Sequence, residues 1–361
     1  MDGIGWFSYQ TLKRLCLQHP DVHFIFLFDR KIEEDFIFSD NITPLVVLPS
    51  ARHPILYYWW FQWSVKGLVN RIKPDLFLSP DGFLILGARC KQLPVIHDIN
   101  FLHNPKDLKP LTAWYYNYFF PKFAATATRI ATVSQFSKQE INKYYGIDAA
   151  KIDVVYNGVN DFIKPCTKIE QADTRAKYSG GDPYFLHVGS LSPRKNIRNI
   201  IQAFAAYKQQ GKNTVKLVLA GANFWGLREI EAAIKEYGLE NSVVFTGRLP
   251  DKELALVLGS AKALLFLSYY EGFGIPLIEA MAAQVPVICA NTTALAEIAG
   301  EAAITVDPFN VPDITKAMTT LDKDQQLRIK LIQKGLIQQE KFSWDNTAQL
   351  LWQSIQACLH S

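Results

Sequence analysis

From about residue 180 the chain alternates short apolar runs with helical patterns, and few architectures can absorb that regularity. The runs lie at 184–188, 215–220, 243–246, 263–267, 285–289 and 302–306. Helical patterns at 196–209, 227–237, 251–260 and 276–284 stand between them. The runs are continuously apolar, so both faces of each strand must be covered. Such strands, separated by helices, predict a parallel sheet with helices on both sides, a doubly wound Rossmann-like α/β domain.

The first half carries a looser version. Runs at 22–28, 75–78, 94–97 and 130–133 read as strands, and 55–72, 108–123 and 136–144 as helices. The stretch 158–183 has weak periodicity and a Gly180-Gly181 pair, and reads as the link between halves. After Pro308 the chain is helical to its end. A length of 361 residues accommodates two cores. Met1 to Gly5 leads straight into a helical pattern (Trp6, Tyr9, Leu12, Leu15, Cys16), so a first strand is expected to be missing. Two facing domains of this kind leave a cleft at the carboxyl ends of their strands, where ligands bind.

Composition narrows the function classes. Hydrophobic residues make up 49% of the chain, which excludes a disordered one. A net charge of +4 suits an anionic small molecule or a loose membrane-surface contact, and argues against nucleic acid. The five cysteines form no C-x-x-C pair, which argues against a disulfide framework or zinc site and for a reducing cytosol. No apolar run approaches the roughly 20 residues of a membrane span, and no signal-peptide pattern opens the chain.

The residues just after strands carry the functional reading. E-G-F-G-I-P-L-I-E (271–279) follows the run 263–267. Pro276 suits a first helical turn, and Gly272 and Gly274 let the backbone approach a ligand. Glu271 and Glu279 then offer carboxylates to sugar hydroxyls, while helix amides offer N–H groups to phosphate. Taken singly, Glu279 would only complement a helix dipole and Glu271 would be solvated. S-P-R-K-N-I (192–197) follows 184–188 and places Arg194 and Lys195 at the start of a helix. Cations there oppose the dipole. A diphosphate would compensate, unless the pair is merely solvated. V-I-H-D (95–98) ends a strand with His97 and Asp98. His97 reads either as a satisfied structural residue or as a group acting near neutral pH. Gly3-Ile4-Gly5 before the first helix permits close approach to phosphate, although a lone G-x-G is a weak signal.

The nine-residue motif at 271–279 resembles the signature of retaining glycosyltransferases of family 4, which have the GT-B arrangement of two Rossmann-like domains. V-G-S-L-S-P-R-K-N-I (188–197), V-S-Q-F-S-K (133–138), V-V-Y-N-G-V (154–159) and A-G-E-A-A-I-T-V-D-P (299–308) stand in the family's order. The resemblance runs from Gly3 to about Trp352. It implies an acceptor-side domain over 1–163, completed by a C-terminal helix at 345–361 that crosses back to it. A nucleotide-sugar domain is then expected over 164–344.

The resemblance also implies roles. Glu271 contacts donor-sugar hydroxyls and Glu279 holds the ribose. The amides of Gly272, Phe273 and Gly274 lie against the sugar, and that of Ile275 near the phosphates. Arg194 and Lys195 stabilise the departing diphosphate. His97 sits close to the transferred sugar, and Asp98 orients its loop or contacts the acceptor. Gly3 and Gly5 lie near the phosphates, preceded by a strand of roughly a dozen residues in the family. Many relatives have an arginine where this chain has Ser190. Either Arg194 carries that charge here or the diphosphate is held more weakly.

Other features have plainer readings. The run 52–66 (R-H-P-I-L-Y-Y-W-W-F-Q-W-S-V-K) and the cluster 114–120 read first as aromatic helices packed on a sheet, and second as membrane or sugar surfaces. Asp322-Lys323-Asp324 matches D-x-D but lies between helical patterns, away from any strand end. No cofactor or metal is expected. F-S-W-D (342–345) opens the last helix, with Ser343 as its cap.

These readings converge on a metal-independent, retaining glycosyltransferase of the hexosyltransferase type. A GDP- or UDP-linked sugar, mannose first, goes to a glycan or lipid-linked acceptor of the cell envelope. The expected location is the cytoplasm, with peripheral contact at the inner membrane surface. A nucleotide-sugar epimerase of the same fold and a non-catalytic nucleotide-sugar binder are the alternatives.

Overall fold

Three parallel strand pairs carry the first half of the computed structural model. They are β1 (Phe24–Phe28) with β2 (Ile42–Val46), β3 (Leu76–Ser79) with β4 (Lys91–Pro94), and β5 (Ile130–Thr132) with β6 (Ile152–Val154). Val95 bridges to Ala131 and ties β4 to β5. The structure describes every residue except Asp2, Arg52, Lys212, Phe224 and Trp225. Arg52, the basic residue heading the first aromatic run, therefore lies outside the described residues.

An aromatic core covers these strands, built from Trp60, Phe61, Phe83, Tyr115, Phe120 and Phe123. The helix Gly3–Gln18 packs on the last helix, Trp344–His360. Arg14 Nε donates to Asp345 Oδ1 at 2.7 Å, and the His19 ring stacks on Trp352 with centroids 3.6 Å apart. The last helix thus belongs to the first of two compact units, Met1–Asn157 with Trp344–Ser361; the second is Gly158–Ser343.

In the second unit six parallel strands form one sheet: β7 (Tyr184–Val188), β8 (Lys216–Ala220), β9 (Val243–Gly247), β10 (Ala263–Phe266), β11 (Val287–Ala290) and β12 (Ala303–Val306). Their order is β12-β11-β10-β7-β8-β9. Side chains alternate between two buried faces. Leu265 joins Ile200, Ile201 and Phe204 on one side. Leu264 and Phe266 join Leu277 and Met281 on the other. Both faces are apolar, which is why these strands read as continuous runs.

The structure moves several expected boundaries. The strand expected at 94–97 is β4, which starts at Lys91, because Val95 makes only a single bridge. Gly3 and Gly5 do not precede the first helix but lie in its first turn. The stretch 158–183 contains a helix, Lys168–Ser179. Thr167 and Glu170 form a reciprocal capping box at its start, and Gly180 ends it with φ +67°. The helix expected over 55–72 is interrupted by a π-turn, Trp60–Val65.

Candidate active site

The strand order reverses between β10 and β7, so the segments leaving these two strands are neighbours at the carboxyl edge of the sheet. After β7 the chain enters a single 3₁₀ turn, Pro193–Lys195, and Asn196 then adopts φ +58°. The helix Ile197–Gln209 begins only after that. Arg194 and Lys195 therefore sit one turn ahead of the helix rather than within it. After β10, the Tyr269 amide donates to the Arg194 carbonyl at 3.0 Å and joins the two loops.

This join brings three charges together. Lys195 Nζ donates to Glu271 Oε1 at 2.5 Å, and Arg194 Nη1 lies 2.8 Å from Glu271 Oε2. Arg194 Nη1 also donates to the Tyr270 carbonyl at 3.2 Å. Glu271 and Lys195 are each only 7% exposed, so neither is the solvated loop residue that its sequence position alone allows. The counter-charge that sequence reasoning sought for the two cations is Glu271 itself. Burial pushes the Glu271 carboxyl up, Arg194 and Lys195 together pull it down further, and it settles at about 2.

Glu279 has a different environment. It lies in the helix Ile275–Ala282, is buried, and its Oε1 accepts from Asn160 Nδ2 at 2.8 Å. Burial pushes its carboxyl up to about 7; Asn160 opposes that and Asp251 adds to it. Gly274 caps the same helix with φ +101°, where a Cβ would lie 2.6 Å from Leu295 Cδ2. The second glycine of the motif is thus needed for conformation as well as space. The Glu271 amide donates to Thr293 Oγ1 at 3.3 Å, and Thr293 holds φ +58°, a strained value for a β-branched residue.

His187, on β7, is fully buried beneath this loop. Its Nδ1 faces the Leu265 carbonyl at 3.2 Å and its ring stacks on Phe266. Burial, and then the Lys195 charge, push the imidazole down to about 3, so it is neutral at physiological pH. Gly221 allows the ends of β7 and β8 to meet, since a Cβ there would lie 1.8 Å from the Gly189 carbonyl oxygen. Ser190 Oγ reaches Ser192 Oγ at 3.5 Å. Sequence reasoning missed Asn160, His187 and Thr293. His187 was hidden inside an apolar run, and Asn160 stood one residue beyond a motif recognised for other reasons.

Of the remaining expected residues, His97 and Asp98 belong to the first unit. His97 Nε2 lies 2.8 Å from the Pro80 carbonyl, its ring meets Phe7 edge-on at 5.1 Å, and its own carbonyl accepts from Ser137 Oγ at 3.0 Å. Asp98 Oδ1 accepts from the Asn100 amide at 2.9 Å and so shapes its own loop. The D-x-D carboxylates are engaged elsewhere. Asp322 pairs with Lys262 at 2.5 Å and accepts from Tyr207 Oη at 2.8 Å, while Asp324 caps the helix Gln325–Gln339.

Two family models match this chain: Glycosyltransferase Family 4 over residues 1–161 and Glycosyl transferases group 1 over 169–337. The chain is a GT4-type glycosyltransferase. The match to the second model contains Arg194, Lys195, Glu271 and Glu279. This glycosyltransferase is 29% identical to the O-antigen chain mannosyltransferase B of Escherichia coli, over 96% of this chain and 93% of that one. It is 27% identical to the O-antigen chain mannosyltransferase RfbU of Salmonella typhimurium, over 78% of this chain and 75% of that one. Among solved structures it resembles HepE of Anabaena, solved in complex with UDP and glucose. The TM-score is 0.76 at 18% identity, over 97% of this chain and 96% of that one. The fold is GT-B.

Proposed function

We propose that this glycosyltransferase is a retaining, metal-independent hexosyltransferase of cell-envelope polysaccharide synthesis. It takes mannose from GDP-mannose, with UDP-sugars as the next candidates, and delivers it to a hydroxyl of a glycan or lipid-linked acceptor. It works in the cytoplasm and meets the acceptor by peripheral contact at the inner membrane surface. The choice of mannose is supported by the names of two relatives that match along most of their length.

The observation that carries the reading is the convergence of Arg194, Lys195 and Glu271 where the sheet order reverses. Two cations against one carboxylate leave a net positive site that is already oriented by its own counter-ion. Such a preorganised site stabilises a diphosphate as charge develops on it. Each Glu271 oxygen keeps a lone pair after accepting from its cation, so the carboxylate also accepts from donor-sugar hydroxyls. Gly272, Phe273, Gly274 and Ile275 supply amides to the sugar and phosphates, and Glu279 accepts from the ribose. In the transfer step the bond from the anomeric carbon to the diphosphate oxygen breaks, and the acceptor oxygen bonds to that carbon on the same face. The departing phosphate oxygen takes the acceptor's proton. His97 sits close to the transferred sugar, its Nε2–H held by the Pro80 carbonyl, Asp98 shapes the acceptor side, and Gly3 and Gly5 face the phosphates.

A panel of nucleotide sugars, screened by melting shift and by release of nucleoside diphosphate, tests this reading. A transferase raises its melting temperature with the correct donor and slowly hydrolyses it without acceptor. A melting shift with no turnover identifies a binder, and a changed monosaccharide formed without acceptor identifies an epimerase. No shift and no release with any donor would falsify the proposal.

A further inference from the structure

Two segments of the first unit are aromatic on both faces. In the helix Pro54–Trp59 and the π-turn after it, Trp60, Phe61 and Val65 are buried, and Trp60 Nε1 donates to the Val47 carbonyl at 2.7 Å. Ile55, Trp59 and Trp63 recur every fourth residue and are exposed, Trp63 by 61%. Trp59 and Trp63 stack with centroids 5.4 Å apart. The helix Pro110–Thr126 repeats the pattern, with Tyr115, Phe119 and Phe123 buried. Trp114 is 57% exposed and stacks on the exposed Tyr118 at 5.5 Å. Tyr58, also exposed, lies 5.6 Å from Phe119 and joins the two rows into one surface. The packed-helix expectation therefore describes only the inner face of each segment.

Along both segments the charge has one sign. No Asp or Glu occurs from His53 to Lys73 or from Leu108 to Arg129, whereas Arg71, Lys73, Lys109 and Lys122 do. The Lys122 ammonium sits 3.5 Å from the Tyr118 ring centroid. Exposed paired aromatics of this extent mark an interaction surface on a soluble fold. Their type decides the partner. The exposed rings are Trp and Tyr, with Ile55, Leu56 and Leu111 beside them; such rings suit the headgroup level of a bilayer, and a lysine rim suits anionic lipid. A second copy of the chain would bring an equally basic rim up to this one, which repels.

We propose that this face docks the glycosyltransferase on an anionic lipid bilayer, with Trp59, Trp63, Trp114 and Tyr118 seated among the headgroups. The proposal names the surface for the membrane contact in the functional reading above and rests on that reading only for the lipid-linked acceptor. The test is cosedimentation of the full chain with vesicles of phosphatidylcholine and phosphatidylglycerol in equal parts, and with phosphatidylcholine alone. Binding is expected to the anionic vesicles, to weaken with salt, and to fall roughly tenfold in a Trp63→Ser/Trp114→Ser variant and in a Lys109→Glu/Lys122→Glu variant. Vesicles should also shift the tryptophan emission to the blue in the wild type and less in the serine variant. Melting shifts with nucleotide sugars on the same samples should be unchanged, since none of these residues belongs to the donor site. No binding to anionic vesicles, or equal binding by both variants, overturns the proposal. So does self-association that the serine variant abolishes in light scattering. Loss of donor response with vesicle binding intact would instead overturn the functional reading.

Discussion

Lys195 Nζ lies 2.5 Å from Glu271 Oε1, although 76 positions of chain separate the two residues. Arg194 closes the other side of the same carboxylate at 2.8 Å. Replacing Lys195 with Met keeps the stem and removes the charge. Transfer should fall by about 10²–10³, the usual cost of one preorganised donor. Binding of a bare nucleoside should hardly change. Steady-state kinetics with calorimetry checks this, and equal losses in both would remove the leaving-group role. Glu271 would stay buried with Arg194 alone, so unfolding should also become easier by about 3 kcal/mol, the low end for breaking a buried pair.

The two motif glutamates should give stability opposite pH slopes. Glu271 is held at about 2 against an ordinary 4.5. Its contribution is complete above pH 4.5 and is lost as pH falls toward 2. Glu279 is pushed up to about 7, so folding favours its protonated form. Its contribution is complete below pH 4.5 and is lost as pH rises through 7. Glu279→Gln should therefore melt close to the wild type at about pH 5 and above it at about pH 8. A wild-type advantage at the higher pH would contradict this environment for Glu279.

How much of this site was legible depended on sequence distance. Glu271, Gly274, Pro276 and Glu279 lie on one connection, and strand-end placement identified them as a set. The partner of Arg194 and Lys195 was not legible, because it arrives from another βα unit through a loop contact at Tyr269. The strands of the second unit could be read because both faces of the sheet are buried. The helix Lys168–Ser179 was readable in principle, since Thr167, Glu170 and Gly180 spell its two ends. Its polar surface kept the apolar periodicity weak. The π-turn after Trp59 has no local signal, and the outer aromatic row emerges only once Trp60 and Phe61 are seen turned inward.

Gly274→Ala should destabilise the second unit through two effects. The backbone holds φ +101°, and the new methyl would meet Leu295 Cδ2 at 2.6 Å. Denaturant unfolding should show a loss of about 2 kcal/mol or more. Adding Leu295→Ala relieves the contact but not the dihedral, so part of the loss should remain. Gly221→Ala should be worse, because the 1.8 Å clash there is with the Gly189 backbone.

Asn160 settles how Glu279 is presented, and a change of one atom tests it. Its amide donates to Glu279 Oε1 at 2.8 Å, and among the described residues no cation contributes to holding that carboxyl. Asn160→Asp keeps the shape but replaces a donor with a second carboxylate. Two buried carboxyls at that distance share one proton, so Glu279 should be driven further toward its neutral form. A neutral Glu279 has less acceptor capacity for ribose hydroxyls. Nucleoside diphosphate affinity should fall about tenfold near neutral pH and recover partly as pH rises, whereas Asn160→Ala should lower it without that recovery. Calorimetric titrations at several pH values separate the two variants. Equal, pH-independent affinities in both would show that Asn160 does not orient Glu279 for the donor.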